Sequence, residues 1–413
     1  MTMPKRTVPL LLAAVLTAVL TACGATVPGA GVPGEIDVRA LDVGPYPTEP
    51  PNAHDDDPVP AFYEMYKLAG MRIADYAITA YDIDPQMIYG NRADVDNARL
   101  MPAELGDATA ITAVAEKHKM LYGFHSSGAA KDTSVSTSGG WPSKKGDNRL
   151  TATTMIFQFP DADRATAAAK DFHDADFARQ EGRNQPVSLP KYPAAHSQWR
   201  PDSPFLRTVL AHGPYVISFL LSVATPDLPA LTTLAETALT KQIEALGRTT
   251  PLTDEQVMTQ PWDPDHLLMR TLNPDKLTSP EGSYFLVTGK HGILHYAGGP
   301  LPDHRLYIDQ QLTRMNAEQV AISWGSIGIR TADPQSAARA VTDKIFPWPT
   351  KAEAAPPPNL PAATCAENKP LEAKKRFSCL VAYKQYVGIV GSEQLLDAQQ
   401  RAAAQYAVFA NSR

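Results

Sequence analysis

The sequence predicts an α+β chain, with antiparallel sheets and helices packed on one face, divided into two domains. Three observations lead there. Short apolar runs sit beside turn residues: Met155, Phe157 and Phe159 alternate with period two before Pro160 and Asp161, and 216–223 is a buried-looking run after Gly213 and Pro214. Each group of strands ends in one alanine-rich helix, at 165–172 and again at 228–246, which favours antiparallel sheets backed by helices over parallel crossover units. A proline-rich stretch, with Pro251, Pro261, Pro264 and Pro274, separates two such groups. With 413 residues, 44% of them hydrophobic, the chain is long enough for two cores.

In chain order, Lys5 and Arg6 precede an apolar run, 8–20, and small residues lead to Cys23, the order of an export signal over 1–22. The run falls short of the roughly 20 apolar residues a spanning helix needs. Leu20, Thr21, Ala22 and Cys23 resemble the bacterial lipobox, which implies a diacylglyceryl thioether on Cys23 and residence on the outer face of the cell membrane. Residues 23–60 are rich in Pro, Gly and Asp and read as a lipid-anchored, disordered tether, with an r.m.s. reach of about 35 Å. Asp55, Asp56 and Asp57 read as solvated, because the spaced ligands and turn glycine of a calcium loop are missing.

The first domain is expected over 61–250. Phe62, Tyr66, Ala69 and Ile73 recur at helical spacing, and a second helix covers 108–120. The Ser-, Thr- and Gly-rich stretch 123–148, with Trp141 in its middle, reads as a long loop. The strand and helix groups named above complete this domain. A linker is expected over 251–275, then a second domain over 276–413. There, 284–287 and 293–296 flank Gly289, Lys290, His291 and Gly292 as a hairpin, and Gly325 with Ser326 suggests a type II′ turn. Asp333 opens one helix and 395–409 forms the last. Ile327, Gly328 and Ile329 lie 60 residues before Val387, Gly388 and Ile389, which suggests a duplicated strand, strand, helix unit joined through 347–361.

The formal charge of −6 becomes −8 once Lys5 and Arg6 leave, and no basic cluster concentrates a field, so nucleic acid is excluded as a partner. Lys374, Lys375 and Arg376 read as a solvated loop. Cys365 and Cys379 are an even pair in an oxidising compartment and are expected to form a disulfide. No GxSxG, HExxH, Walker or GxGxxG pattern occurs, so no catalytic residue, cofactor or metal ligand is assigned. His125 beside Ser126 and Ser127 reads as loop, since sequence neighbours rarely face each other productively. His291 and His295, four apart on a hairpin with no third ligand, read as structural. Asp161 and Asp333 read as helix caps, and Asp163, Asp174, Asp176, Asp263 and Asp265 form no recognisable pair. Candidates to line a pocket are Trp141, Tyr122, Phe124 and Trp199.

Together the lipobox, Gly44-Pro45-Tyr46-Pro47 in the tether, and Ala404-Gln405-Tyr406 near the end resemble an actinobacterial cell-envelope lipoprotein family known only as domains of unknown function. The resemblance implies an N-terminal lipoprotein domain, a C-terminal cysteine-paired domain and envelope residence. It transfers no catalytic residue. The expectation is an envelope protein attached to the membrane through its lipid, which binds an envelope protein or a small apolar ligand. A cell-wall hydrolase and a structural scaffold are the alternatives.

Overall fold

The computed structural model describes residues 36–54, 65–131, 150–179, 182–263, 265–274, 285–296, 304–369 and 375–412. From Val38 onward they form one compact unit built on two seven-stranded sheets. The first holds β1 (Tyr89–Asp96), β2 (Tyr122–Ala129), β3 (Thr151–Gln158), β4 (Gln185–Val187), β5 (His196–Trp199), β6 (Phe205–His212) and β7 (Tyr215–Ser222), in the order β1-β2-β3-β7-β6-β5-β4. The second holds β8 (Phe285–Gly289), β9 (Ala317–Ser323), β10 (Ser326–Thr331), β11 (Thr350–Ala354), β12 (Ala363–Asn368), β13 (Phe377–Tyr383) and β14 (Tyr386–Ser392), in the order β11-β12-β13-β14-β10-β9-β8. Neighbouring strands are antiparallel in both sheets.

The helices are α1 (Met65–Ile73), α2 (Ala80–Ile83), α3 (Ala108–Lys117), α4 (Ala162–Ala178), α5 (Leu228–Leu246), α6 (Asp254–Thr259), α7 (Leu267–Arg270), α8 (Lys290–Tyr296), α9 (His304–Arg314), α10 (Pro334–Thr342) and α11 (Leu395–Asn411). The α+β class is as expected, but helices cover both faces of each sheet rather than one. Ile156, Ile217 and Phe219 pack with Leu231 and Leu239 of α5, while Met155, Phe157 and Val216 pack with Ala168 and Phe172 of α4 on the opposite face. In the second sheet α10 covers Ile329, Leu380 and Ile389, and α11 covers Cys379 and Val390. The reason lies in the strands: β7 is buried along its whole length, so neither face can meet water.

The two sheets share one topology. Numbered from its own first strand, each runs 1-2-3-7-6-5-4, with one helix directly after the third strand and another after the seventh. The duplication is therefore larger than the strand, strand, helix unit read from the sequence. Ile327, Gly328 and Ile329 pair directly with Ile389, Gly388 and Val387 across the centre of the second sheet. The two hairpin-helix units there place their helices on opposite faces, so they have opposite hand and do not repeat each other. The whole halves do.

Local chemistry repeats as well. Asp161 caps α4 by accepting from Arg164 N, and Asp333 caps α10 by accepting from Ser336 N, as the sequence suggests. A fully buried glutamine sits in the last helix of each half. Gln242 of α5 accepts from Ile78 N at 2.9 Å and donates to Tyr76 O at 2.8 Å. Gln405 of α11 accepts from Leu272 N at 2.8 Å and donates to Arg270 O at 2.7 Å. Each thus holds a backbone carbonyl and the amide two residues later.

Several expectations change. The stretch 123–129, expected as loop, is most of β2, hydrogen-bonded to β1 and β3 on its two sides. The hairpin expected around Gly289–Gly292 is β8 followed by α8; Asp75 accepts from Gly289 N and Gly292 N at 2.6 Å each and caps that helix from a distant part of the chain. The β9–β10 turn is centred on Trp324 and Gly325, both at positive φ (45° and 87°), a type I′ pattern one residue earlier than expected.

The expected linker is structured. Val257 of α6 joins the core of the first half, and Leu267, Leu268 and Met269 of α7 pack with Ala321 of the second. The expected tether is also partly docked. Tyr46 OH donates to Asp397 Oδ1 at 2.5 Å under Arg401, Gln400 donates to Asp42, and Asn411 donates to Thr48 O. Cys365 and Cys379 occupy directly paired positions on β12 and β13 and form the expected disulfide. It closes a 14-residue separation and contributes on the order of 3 kcal/mol in the chain-entropy model.

Candidate functional site

A cavity of about 420 Å³ opens beside α4 and strands β5 and β6 of the first sheet, lined among others by Asp176, Arg179, Gln198, Trp199, Arg200 and Arg207. Antiparallel pairing sets Gln198 opposite Arg207 and Arg207 opposite Leu220, so the three share one face. Asp176, on the last turns of α4, receives Arg207 Nη1 at 2.6 Å and the Gln198 amide. Burial lowers the pKa of Arg207; Asp176 opposes that, and the like charges of Arg179 and Arg200 add to it. Arg200 donates through Nε to Asn184 Oδ1 at 2.9 Å, and Trp199 is pinned by Nε1 donating to Ser203 O at 2.8 Å.

The same face of the sheet continues as a polar row toward β2. Thr153 pairs with Leu220 and with Ser127, and His125 follows Ser127 at the period of two. His125, 2% exposed, donates from Nδ1 to Asp96, with both carboxylate oxygens at 2.9 Å. Burial works against charge on His125, but the hydrogen bond and charge of Asp96 outweigh it and hold its pKa above the ordinary value. Glu104 acts in the same direction from the 3-10 turn Ala103–Leu105, whose Ala103 lines the cavity and whose Leu105 carbonyl accepts from Arg207. Among the described residues, Glu104 Oε2, His125 Nε2, Ser127 Oγ, Gln198 Oε1 and Ser218 Oγ are buried with no hydrogen-bond partner.

Residues 56–262 match the N-terminal domain, and residues 267–412 the C-terminal domain, of DUF7373, each described as a domain of unknown function. The chain belongs to the DUF7373 family. The two matched regions meet inside the expected linker. No match is found among curated proteins. Among solved structures, the extracellular domain of PknH from Mycobacterium tuberculosis is similar at 12% identity and a TM-score of 0.27, covering 47% of this chain and 99% of that one. A likeness of that size carries no argument.

The sequence-derived lining residues of this DUF7373 chain do not converge. Trp199 lines the cavity. Tyr122 and Phe124 are buried in the core on the α5 side, where Tyr122 OH donates to Gln158 Oε1 at 2.6 Å. Trp141 and Cys23 lie outside the described residues, as do Asp55, Asp56, Asp57 and Lys374. Of the acids, Asp176 alone lines the cavity; Asp174 pairs with Lys170 on the surface, and Asp263 accepts from Met269 N.

Sequence reasoning missed Asp96, Glu104, Arg179, Arg200 and Arg207. The nearest available signal was the cluster Arg179, Arg183, Arg200 and Arg207 around 179–207, diluted by intervening acids.

Ser126 projects from the other face of β2 and meets a histidine after all, though not its neighbour. His295 of α8 lies with Nδ1 2.8 Å from Ser126 Oγ and Nε2 3.0 Å from Ala77 O. The carbonyl can only accept, so Nε2 carries the proton and Ser126 OH donates to Nδ1. This is the hydrogen bond a nucleophile and base would make. It does not make a working pair. Ser126 is 4% exposed, and burial, first, with the nearby positive charge of His291 and Arg305, lowers the His295 pKa to about 3, far below what a general base needs near neutral pH. The contact instead joins the first half to the second, beside Asp75 on α8, His291 Nε2 on Ala77 O at 2.9 Å, and Arg305 on Thr79. Among the described residues no group of three His, Cys, Asp or Glu side chains could hold a metal ion, and no helix is long and apolar enough to cross a membrane.

Proposed function

We propose that the chain is a ligand-binding envelope protein, held at the outer face of the cell membrane by a lipid on Cys23. One observation carries the preference for binding over catalysis. The cavity beside α4 is within the range of small-molecule sites, about 300–1,000 Å³, and its described lining residues supply charge and hydrogen bonds without a nucleophile set against a base. That polar lining moves the expected ligand away from a small apolar one.

Two measurements test the reading. Cys23→Ala is expected to move the protein from the membrane to the soluble fraction; a variant that stays membrane-bound like the wild type overturns the lipid anchor. Native mass spectrometry of delipidated protein taken from its own envelope is expected to retain a bound small molecule. Repeated recovery of the bare mass, with no small molecule, counts against binding.

A further inference from the structure

We propose that the cavity beside α4 takes a small anion bearing hydroxyl donors, the chemistry of an acidic sugar, with its acid group between Arg179 and Arg200 and a hydroxyl on Gln198 Oε1. This rests on the binding role proposed above and names the ligand class for that site.

Charge comes first. Among the described lining residues, Arg179, Arg200 and Arg207 stand against the single carboxylate of Asp176. Arg207 is committed: it is buried, at 2.6 Å from Asp176 and with a second bond to Leu105 O. Arg179 reaches Asp176 only at 4.0 Å with its side chain half exposed, and Arg200, whose Nε donates to Asn184 Oδ1, has no carboxylate partner among the described residues. Two guanidinium groups at one opening, with their countercharge already taken by a third, favour an incoming carboxylate or phosphate. Such an anion also relieves the like-charge crowding felt by Arg207.

The second observation is independent of charge. Gln198 is 6% exposed, lines the cavity, and its Oε1 has no partner. Its orientation is determined, because the amide nitrogen donates to Asp176 and a flipped amide would set oxygen against carboxylate. A buried acceptor beside an opening selects a ligand that donates, and inorganic anions that carry charge alone meet only half of the site. Trp199, fixed by its bond to Ser203 O, adds a rigid aromatic wall against which the C–H face of a sugar ring can lie.

The test uses the delipidated full chain with three probes, glucuronate, glucose and inorganic sulfate, titrated by calorimetry. Glucuronate is expected to bind saturably, sulfate, which has charge but no hydroxyl donor, more weakly, and glucose more weakly still. Arg179→Ala and Arg200→Ala, which leave the Arg207–Asp176 pair intact, are each expected to weaken glucuronate about tenfold, the loss of one charge-assisted hydrogen bond, with cooperative thermal unfolding retained. The inference is overturned if glucose binds as tightly as glucuronate, if neither arginine variant changes the affinity, or if no anion binds. Recovery of a neutral ligand by native mass spectrometry would sink the acidic class while leaving the binding role standing; a bare chain that also ignores all three probes removes both.

Discussion

Gln405→Leu is expected to lower the unfolding free energy by about 3 kcal/mol, and Gln242→Leu by a similar amount. Leucine has nearly the volume of glutamine, so neither change opens a large cavity. What is lost is pairing. Gln405 is completely buried, and its amide is the partner of Leu272 N and Arg270 O. Each backbone group left unpaired out of water costs about 1–3 kcal/mol, and two such groups place the total among the larger single-residue effects. The glutamine can lie there because Gly388 has no side chain: a Cβ at that position would come 2.3 Å from Gln405 Cγ.

Urea unfolding is the measurement, with a lower midpoint at unchanged slope as the expected sign of lost stability. A Gln405→Leu midpoint equal to that of the wild type would show that the two backbone groups find other partners. Comparable losses in both variants are what a duplicated fold requires, since the same amide spans the same carbonyl and amide spacing in each half.

The second large effect is acid lability centred on His295. Its pKa falls from 6.5 to about 3 in the fold, first because burial disfavours the charged ring, then because His291 and Arg305 are near. Ala77 O and Asp82 oppose this without reversing it. Below pH 6.5 the unfolded chain binds a proton that the folded chain refuses. The contribution is therefore complete above pH 6.5 and is lost as the pH falls toward 3, at about 1.4 kcal/mol per pH unit and on the order of 5 kcal/mol in total.

Two neighbours act over the acid range. Burial raises the pKa of Asp75, which favours the fold as the pH falls and partly offsets the loss. Asp82 is held below its usual value, with burial overcome by His291, Thr79 and Arg305, and its contribution is lost in acid as its folded pKa is approached. His295→Gln is expected to be less stable at pH 7 yet to show a flatter dependence between pH 6.5 and 4. An unchanged slope would mean that His295 does not govern the acid limb.

Much of the fold is legible locally. The caps Asp161 and Asp333, the alanine-rich helices behind them, the alternation in β3 and the Gly213-Pro214 turn are each set by residues within one or two helical turns of one another. The elements that were misread depend on distant partners. β2 carries Gly, His and Ser at buried positions, so it shows no apolar alternation, and the partners of His125 Nδ1 and Ser126, Asp96 and His295, come from elsewhere in the chain. α8 starts where Asp75 supplies the cap, 214 residues before Gly289. The tether motif Gly44-Pro45-Tyr46-Pro47 looks free until Asp397 and Arg401 are brought to Tyr46.

The candidate site divides in the same way. From the sequence alone come the α+β class, the pairing of Cys365 with Cys379 and one residue of the cavity, Trp199. Only the tertiary structure decided that both sheet faces are covered, that the two halves repeat one topology, that Ser126 meets His295 rather than His125, and that three arginines gather beside Asp176. The physical reason is range. Propensity, capping and turn geometry act between neighbours in the chain, whereas a buried charge or amide takes whichever partner the packing of distant elements brings within about 3 Å.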